Sequence, residues 1–169
     1  MNPFKTNLLW PLMPKFLFSF DKSKATLRDL KSGREVSVEP VCIVGKSIKL
    51  SAVGKDAINA YISKNPGKHE VINPFDHPRT FLNDFDAAVA VLMYLHKAIY
   101  KAQGKRAIVN PVIIVRPLMS LAEGLSQIEL RALHDLAHAG YAQKAFIYTG
   151  PDMSDKELLD YIQKVNYEK

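Results

Sequence analysis

An apolar strand enters a turn rich in lysine and serine in the stretch FLFSFDKSKATLRDL, residues 16–30. Many phosphate-binding hairpins begin in this way, because backbone N–H groups and small side chains in the turn can hold an anion. A second candidate for chemistry is Glu129 in SQIELRAL, at the predicted start of a helix that follows a strand and a loop. A carboxylate in that place could polarise an attacking water. The sequence therefore offers one candidate phosphate-binding turn and one candidate acid.

Both stretches also have a purely structural interpretation. The turn contains no glycine, so a plain β-hairpin is the alternative to a phosphate site. Ser126 and Glu129 have the S-x-x-E spacing of a capping box, in which the glutamate accepts a hydrogen bond from the Ser126 backbone N–H. For Glu129 the spacing favours the cap over chemistry.

A pair of histidines in HDLAH resembles the metal-binding helix of zinc hydrolases. His134 and His138 stand at i, i+4, with Asp135 where a catalytic glutamate would be needed. A catalytic zinc site also needs a third ligand, and no other histidine has a suitable spacing. A metal site is therefore not expected. Cys42, the single cysteine, lies in the apolar run VCIV and is expected to be a small buried residue without a disulfide.

The composition excludes several other functions. The chain has 169 residues, 47% of them hydrophobic, which suits one soluble globular domain. Its net charge of +6 comes from scattered lysines without interleaved aromatic residues, so no nucleic-acid partner is expected. The glycine-rich phosphate loops and the G-x-S-x-G elbow are absent from the sequence.

Hydrophobic periodicity predicts a chain in two halves. The first half is a series of strands with one short helix, and the second reads helix, strand, helix, strand, helix. Strands are predicted at Lys15–Asp21, at Ala25–Leu30, and in the stretches EVSVEPVCIVG, KSIKLSAVG, HEVINPF, NPVIIVRP and KAFIYTGP. Helices are predicted in GKDAINAYISKNPG, NDFDAAVAVLMYLHKAIYKAQG, SQIELRALHDLAHAG and SDKELLDYIQKVNYEK. The NPVIIVRP run is continuous and β-branched, as in a central parallel strand.

The first fourteen residues are unusually apolar. They include Phe4, Leu8, Leu9 and Trp10, and lysines flank them. These four side chains could contact a membrane surface, with the lysines at the headgroups. The alternative is that they pack on the domain itself, which is favoured because prolines interrupt any long amphipathic helix. No apolar run is long enough to span a bilayer, and a secretory signal is not expected.

Several stretches in order resemble the N-terminal lobe of the bacterial actin homologue MreB. They are VEPVCIV, AVGKDA, INPFD with FLNDFDAAVAVLMYLHKAI, NPVIIVRP, and SQIELRALHDLAHAGYAQKAFIYTGP. The family has matching strand, helix-start and glycine-containing motifs in the same order and at similar spacing. The resemblance extends from about Phe16 to Pro151.

This resemblance implies an α/β fold. The expected structure is a single actin-like lobe of ribonuclease H-like type, with a mixed five-stranded sheet flanked by helices and a small inserted subdomain. It divides the chain into the apolar segment 1–14, an MreB-like lobe at 15–152, and a C-terminal helix at 153–169 in place of the family's second lobe. In the family, two lobes clamp ATP and Mg²⁺ between them, and members polymerise at the membrane.

The first phosphate loop of the family, D-x-G-T-x-x-T, is only partly matched. Aligned on Thr26 without a gap, Phe20 takes the place of the aspartate, whereas one deletion brings Asp21 there instead. In both alignments the glycine is missing, and a Cβ there should obstruct the approach of a phosphate. The resemblance therefore leaves Asp21, Ser23 and Thr26 as remnants of a nucleotide site.

The resemblance also implies a role for Glu129, which falls on the family's water-activating glutamate. The loop before it is about five residues longer than in the family. We therefore expect a non-catalytic, MreB-like binding protein without an ATP or Mg²⁺ cofactor, an adaptor or modulator of an actin-like filament or of the cell-shape machinery. Its expected partner is a protein, an MreB-type filament or a second copy, in the cytoplasm or at the inner face of the membrane. The alternative is a nucleotide-dependent switch or ATPase half-site that a partner or second copy completes.

Overall fold

The computed structural model describes residues 10–44, 50–104, 106–119 and 124–167. The chain forms two sheets and four helices within these ranges. The strands are Lys15–Phe20 (β1), Ala25–Asp29 (β2), Glu35–Val38 (β3), Cys42–Val44 (β4), Leu50–Val53 (β5), Val71–Ile72 (β6), Val112–Pro117 (β7) and Lys144–Ile147 (β8). The helices are Lys55–Lys64 (α1), Phe85–Gln103 (α2), Gln127–Ala139 (α3) and Asp155–Tyr167 (α4).

The main sheet has five strands in the order β3-β2-β1-β7-β8. β1 and β2 form the predicted antiparallel hairpin, and β7 lies parallel to both β1 and β8. The predicted central parallel strand and the expected mixed five-stranded sheet are thus confirmed. β8 is an edge strand with one neighbour, and its residues are half-buried.

The stretch EVSVEPVCIVG was predicted as one strand, and that prediction was wrong. β3 ends at Val38 in the main sheet, and β4 begins at Cys42 in a separate three-stranded sheet with β5 and β6. Pro40 lies between them and has no N–H group for a sheet hydrogen bond, so the ladder stops there. The small sheet and α1 form the expected inserted subdomain. Of the predicted strand KSIKLSAVG, residues 45–49 lie outside the described ranges.

Helices cover both faces of the main sheet. In β1, Phe16, Phe18 and Phe20 are buried in the larger core with α2 and α3, whereas Leu17 faces the smaller core on the other side. This alternation has the period of two that a strand imposes. α2 is capped by Asp84, whose carboxylate accepts a hydrogen bond from Ala87 N–H at 2.8 Å. These contacts make β1 the centre of the lobe.

The last helix belongs to the same packed unit as the sheet. On α4, Leu158 and Ile162 are fully buried against Val112 and Ile114 of β7. A capping box starts this helix: the Glu157 carboxylate accepts hydrogen bonds from Ser154 N–H at 2.7 Å and from Ser154 Oγ at 2.7 Å. The resemblance predicted a C-terminal helix at 153–169 in place of the family's second lobe. In its packing, α4 is the outer helical layer of the lobe.

α2 and α3 approach each other closely at one glycine. A Cβ atom at Gly140 would lie 2.7 Å from Leu92 Cγ, and closer still to Leu92 Cδ2. The residue after it, Tyr141, has a φ of 73°, a left-handed backbone conformation that residues other than glycine rarely adopt. Gly140 therefore lies where α2 and α3 leave no space for a side chain, whereas the left-handed backbone conformation is at the next residue, Tyr141.

A buried histidine lies among aromatic rings on α2. The ring centroid of His96 is 5.9 Å from Phe16, 5.0 Å from Tyr100 and 5.9 Å from Tyr141. His96 Nε2 is buried and has no hydrogen-bond partner among the described residues. Burial lowers the pKa of His96 below its usual 6.5, because a charged imidazolium would be poorly solvated there.

This histidine should make the protein sensitive to mild acid. In the unfolded chain His96 binds a proton below about pH 6.5, whereas the folded state keeps it neutral to a lower pH. The stability is therefore complete above pH 6.5 and decreases as the pH falls toward the folded pKa. We expect His96→Phe to flatten the Tm between pH 7 and 5. An equal acid-induced fall in Tm in wild type and His96→Phe would contradict this assignment.

Candidate functional site

The hairpin turn and the start of α3 lie at the same edge of the main sheet. Phe20 at the end of β1 is paired with Pro117 at the end of β7, and Leu118 N–H donates to the Phe20 carbonyl at 2.8 Å. Because β7, α3 and β8 form a β-α-β unit with parallel strands, α3 starts at this edge. We call it the carboxyl edge. Ligands of open α/β sheets bind outside this edge.

The hairpin turn is closed by its own carboxylate. Asp21 Oδ1 accepts hydrogen bonds from Ser23 N–H at 2.6 Å, from Ser23 Oγ at 2.6 Å and from Lys24 N–H at 2.9 Å. Burial would raise the pKa of Asp21, but these hydrogen bonds and the charge of Lys22 lower it below its usual value. The donors that could have held a phosphate are therefore already used by an internal anion.

The other two residues aligned with the family's phosphate loop, Thr26 and Phe20, lie in strands β2 and β1. Thr26 lies within β2, paired with Ser19, and is 8% exposed. Phe20, the acid position in the ungapped alignment, is fully buried, and its ring stacks on Phe75 with centroids 4.1 Å apart. Of the three predicted residues, the structure brings Asp21 and Ser23 into contact with each other and places Thr26 in the sheet.

The sequence interpretation missed a contact that fixes this turn. Asn73 lies next to β6 in the inserted subdomain, and its Nδ2 donates to the Lys22 carbonyl at 2.7 Å. Its Oδ1 accepts from Phe75 N–H at 3.0 Å, which holds Phe75 beneath the turn. The only sequence signal was the dipeptide Asn73-Pro74, which favours a turn but does not reveal its partner.

Glu129 is engaged in the predicted capping box. Its Oε2 accepts hydrogen bonds from Ser126 N–H at 2.9 Å and from Ser126 Oγ at 2.7 Å, and Glu129 N–H donates to Ser126 Oγ at 3.3 Å. The capping box is therefore confirmed. The loop before α3 is described only at 118–119 and 124–126, since residues 120–123 lie outside the described ranges.

Two glutamates with the same local role allow the cap to be separated from chemistry. Glu129→Ala should destabilise the protein by up to about 1 kcal/mol, as expected for the loss of a helix cap. Glu157→Ala, in the matching box of α4, should lower the Tm in the same direction. Thermal melts monitored by circular dichroism measure both. A change in nucleotide response in Glu129→Ala alone would contradict a purely structural role.

The histidine pair has other partners. His138 Nδ1 lies 2.9 Å from the Ala142 carbonyl, so one of its nitrogens is used at the end of α3. His134 also has an interaction within the protein. Among the described residues, no group of three His, Cys, Asp or Glu side chains could hold a metal ion. Cys42 is fully buried, and burial together with the Asp84 charge raises its pKa to about 11.

The N-terminal segment is described from Trp10 onward. Trp10 is 9% exposed and packs in the smaller core, with its ring edge toward Phe146 at a centroid distance of 6.3 Å. The membrane contact predicted for Trp10 does not fit this buried position, because the interior of the lobe already covers the ring. Phe4, Leu8 and Leu9 lie outside the described residues. None of the described helices is long and apolar enough to cross a membrane.

Two arginines at the α4 face were also missed. Arg116 on β7 forms an ion pair with Asp152, and Arg28 on β2 forms one with Asp155 at 2.9 Å. A pocket of about 500 Å³ lies between them and the start of α4. Each arginine has a carboxylate partner, and with Lys156 and Glu35 the lining carries three positive and three negative side chains, so it has no net positive charge for an anion.

The chain was compared with families, curated sequences and solved structures. No protein-family model and no curated protein matches it. MreB5 of Spiroplasma citri bound to ADP is similar at 17% identity and a TM-score of 0.59, over 81% of this chain and 38% of that chain. The AMPPNP-bound MreB5 gives 18% and 0.58 over the same shares. A non-polymerising MamK mutant bound to AMPPNP gives 13% and 0.54, over 81% and 41%.

The similarity covers most of this chain but less than half of each matched protein. MreB5 and MamK are actin-like bacterial cytoskeletal proteins. At such low identity the similarity concerns the fold, and it agrees with the mixed five-stranded sheet and the helices on both of its faces. The chain therefore has the fold of one lobe of an actin-like protein.

Proposed function

We propose that this chain is a non-catalytic actin-like lobe that works by binding another protein. Its partner is an actin-like filament of MreB type or a second copy of the chain, and it acts as an adaptor or modulator of that filament in the cytoplasm. The actin-like fold supports a filament-related role. ATP and Mg²⁺ are not required in this proposal.

One observation carries the non-catalytic part of the proposal. The Asp21 carboxylate accepts three hydrogen bonds from Ser23 and Lys24 inside the hairpin turn. A phosphate would have to displace this carboxylate and then lie beside its negative charge. At about 4 Å, two such charges repel by roughly 4 kcal/mol at an effective dielectric constant of 20. The turn is therefore poorly suited to bind a nucleotide phosphate.

Two further contacts support the same proposal. Phe20 contributes an apolar ring to the core where a metal-binding acid would be needed. Glu129 holds the first turn of α3 through Ser126 and would lose that cap in order to orient a water. Each residue that the resemblance would assign to ATP hydrolysis thus has a structural role here.

The carboxyl edge also presents apolar side chains that suit a protein partner. Ile128, in the first turn of α3, is 83% exposed, and Leu118, just after β7, is 48% exposed. Exposed apolar residues at one edge of a lobe are typical of an interaction surface. We propose that Leu118 and Ile128 contact the partner.

This interface is testable by charge substitution with a matched control. Leu118→Glu/Ile128→Glu should weaken co-sedimentation with polymerised MreB-type protein, or abolish self-association measured by light scattering, by about ten-fold or more. Ile108→Glu is the control, because Ile108 is 91% exposed but lies before β7, at the opposite edge of the sheet. Equal binding by the double variant and wild type would refute this interface, and binding to neither partner would refute the proposed function.

The alternative is a nucleotide-dependent switch or ATPase half-site completed by a partner or second copy. It is favoured only by the place of Glu129 and the turn at one edge of the sheet. Isothermal titration of Mg²⁺–ATP into the purified chain distinguishes the two. Heat that saturates at millimolar ATP and disappears in Asp21→Ala would favour the switch. No heat at that concentration would exclude a nucleotide site formed by the purified chain alone.

Membrane attachment remains a proposal for residues 1–9 alone. Phe4, Leu8 and Leu9 are large apolar side chains in that segment, and Lys5 could contact anionic headgroups. Co-sedimentation with vesicles of phosphatidylglycerol and phosphatidylethanolamine should decrease in Phe4→Ser/Leu8→Ser/Leu9→Ser. Equal pelleting of this variant and wild type would exclude the anchor.

A further inference from the structure

A second pocket lies at the end of the lobe opposite the carboxyl edge. It has a volume of about 700 Å³ and is bounded by residues 10–15, the turn after β2, the end of α2 and one side of α4. β1 begins at this pocket with Lys15 and ends at the carboxyl edge with Phe20. Six residues of strand separate the two regions by roughly 17 Å. The pocket is therefore a different site from the candidate nucleotide turn.

The pocket contains a buried hydroxyl without a partner. Tyr100, near the end of α2, lines the pocket and is 8% exposed. Its Oη is buried and has no hydrogen-bond partner among the described residues. Burial and the charge of Asp29 raise the pKa of Tyr100, so the phenol keeps its proton and can act as a donor. A buried donor without an acceptor is unusual in a folded protein and points to a missing partner.

Two lysines beside Tyr100, Lys15 and Lys31, add further hydrogen-bond donors to the pocket. Lys15 Nζ donates to the Trp10 carbonyl at 2.9 Å and to the Met13 carbonyl at 3.0 Å, which uses two of its three protons. The charge of Lys31 lies close enough to reinforce the effect of burial in lowering the pKa of Lys15. The pocket thus has two mutually repelling ammonium groups, and an anion between them would relieve the repulsion.

Acidic residues also line the pocket, but they do not satisfy these donors. Asp29 accepts from Lys31 N–H at 2.9 Å, from Ser32 Oγ at 2.9 Å and from Gln103 Nε2 at 2.7 Å. Both of its oxygens are therefore engaged, and its single negative charge is opposed by the two ammonium groups of Lys15 and Lys31, which line the same pocket. Asp160 is exposed on α4, where water screens its charge. An acceptor from outside the protein is the group that the pocket lacks.

One wall of the pocket is apolar. Trp10, Leu12 and Leu159 line it, and Leu12 is 70% exposed. An exposed leucine beside a tryptophan in a concave site offers a surface for an apolar body such as an aromatic ring. The pocket therefore combines an apolar wall with a cluster of donors at its inner end.

We propose that this pocket binds a small organic acid, with its apolar body against Trp10 and Leu12 and its carboxylate on Tyr100 Oη and Lys15 Nζ. The ligand class is a monocarboxylate of about the size of an arylalkanoic acid. An acid of that size fits the pocket, whose volume of about 700 Å³ lies within the range of small-molecule sites. The site is separate from the carboxyl edge and does not depend on the function proposed above.

Trp10 is the only tryptophan in the chain, so its fluorescence reports directly on this pocket. Titration with 4-phenylbutyrate at pH 7 should give a saturable change in Trp10 emission. N-acetyltryptophanamide, titrated in parallel, corrects for absorption by the ligand. The uncharged 4-phenylbutyramide should bind about ten-fold more weakly, because it lacks the charge that the lysines and the phenol recognise.

Tyr100→Phe tests the proposed hydroxyl contact without endangering the fold. It should weaken 4-phenylbutyrate binding by about five-fold, while the Tm stays the same or rises because an unpaired buried hydroxyl has been removed. Tyr94→Phe, on the exposed face of the same helix, should leave both binding and Tm unchanged. No saturable change at millimolar acid, equal binding of acid and amide, or equal binding by Tyr100→Phe would each overturn the proposal.

Discussion

Replacing Phe20 with aspartate is expected to unfold the protein rather than to restore a metal-binding acid. The Phe20 ring is fully buried, stacked on Phe75 at 4.1 Å and 5.1 Å from the Phe18 centroid. Removal of such a ring alone costs about 3–5 kcal/mol. A buried carboxylate without a partner adds a further penalty of several kcal/mol. The sum approaches the whole stability of a typical domain, about 5–15 kcal/mol.

The measurement is a thermal and urea melt of purified protein, monitored by circular dichroism. Phe20→Asp should show no cooperative transition. The control is Phe20→Leu, which keeps an apolar side chain and should melt cooperatively at a reduced Tm. If Phe20→Asp folded with a wild-type Tm and bound Mg²⁺–ATP, the ungapped alignment would be correct, and Phe20 would occupy the acid position of a working nucleotide site.

The second large effect is expected at Gly140. Gly140→Ala places a methyl group within 2.7 Å of Leu92 Cγ, much closer than van der Waals contact allows. α2 and α3 must move apart, which should cost about 2 kcal/mol, as in other overpacked cores. For a domain of this size that loss lowers the Tm by about 4–8 °C.

A double variant tests whether the clash with Leu92 is the cause. Leu92→Ala alone should destabilise the protein, because the side chain is fully buried. Combined with Gly140→Ala, the loss should be clearly smaller than the sum of the two, since the new methyl group then enters the space left by leucine. Strictly additive losses of unfolding free energy would exclude this contact as the cause.

Much of the fold could be predicted because local patterns and tertiary packing agree. The α2 stretch carries a cap at Asp84, apolar residues at helical spacing and a glycine at 104, and each feature has the expected place in the structure. NPVIIVRP became the central parallel strand because β7 is covered on both faces. The error at EVSVEPVCIV arose because β-branched residues at strand spacing continue on both sides of the break, and only Pro40 marks the change of sheet.

The candidate site was harder to predict, because its contacts join distant parts of the chain. The sequence showed that the turn lacks a glycine and that Ser126 and Glu129 could form a cap. It could not show that the Asp21 carboxylate folds back onto its own turn, or that Asn73 contacts Lys22 from 51 residues away. The pocket beside Tyr100 was invisible for the same reason, since four separate segments form it.

The position of β1 at the centre of the sheet has a consequence for synthesis of the chain. Its parallel partner is β7, and Lys15 is paired with Val112, almost a hundred residues later. A ribosome adding about 5–20 residues per second needs roughly 5–20 s to make that stretch. During this time the three phenylalanines of β1 lie on a strand whose parallel partner, β7, has not yet been made. Nascent chains stalled before residue 112 should therefore be clients of chaperones that bind exposed apolar strands.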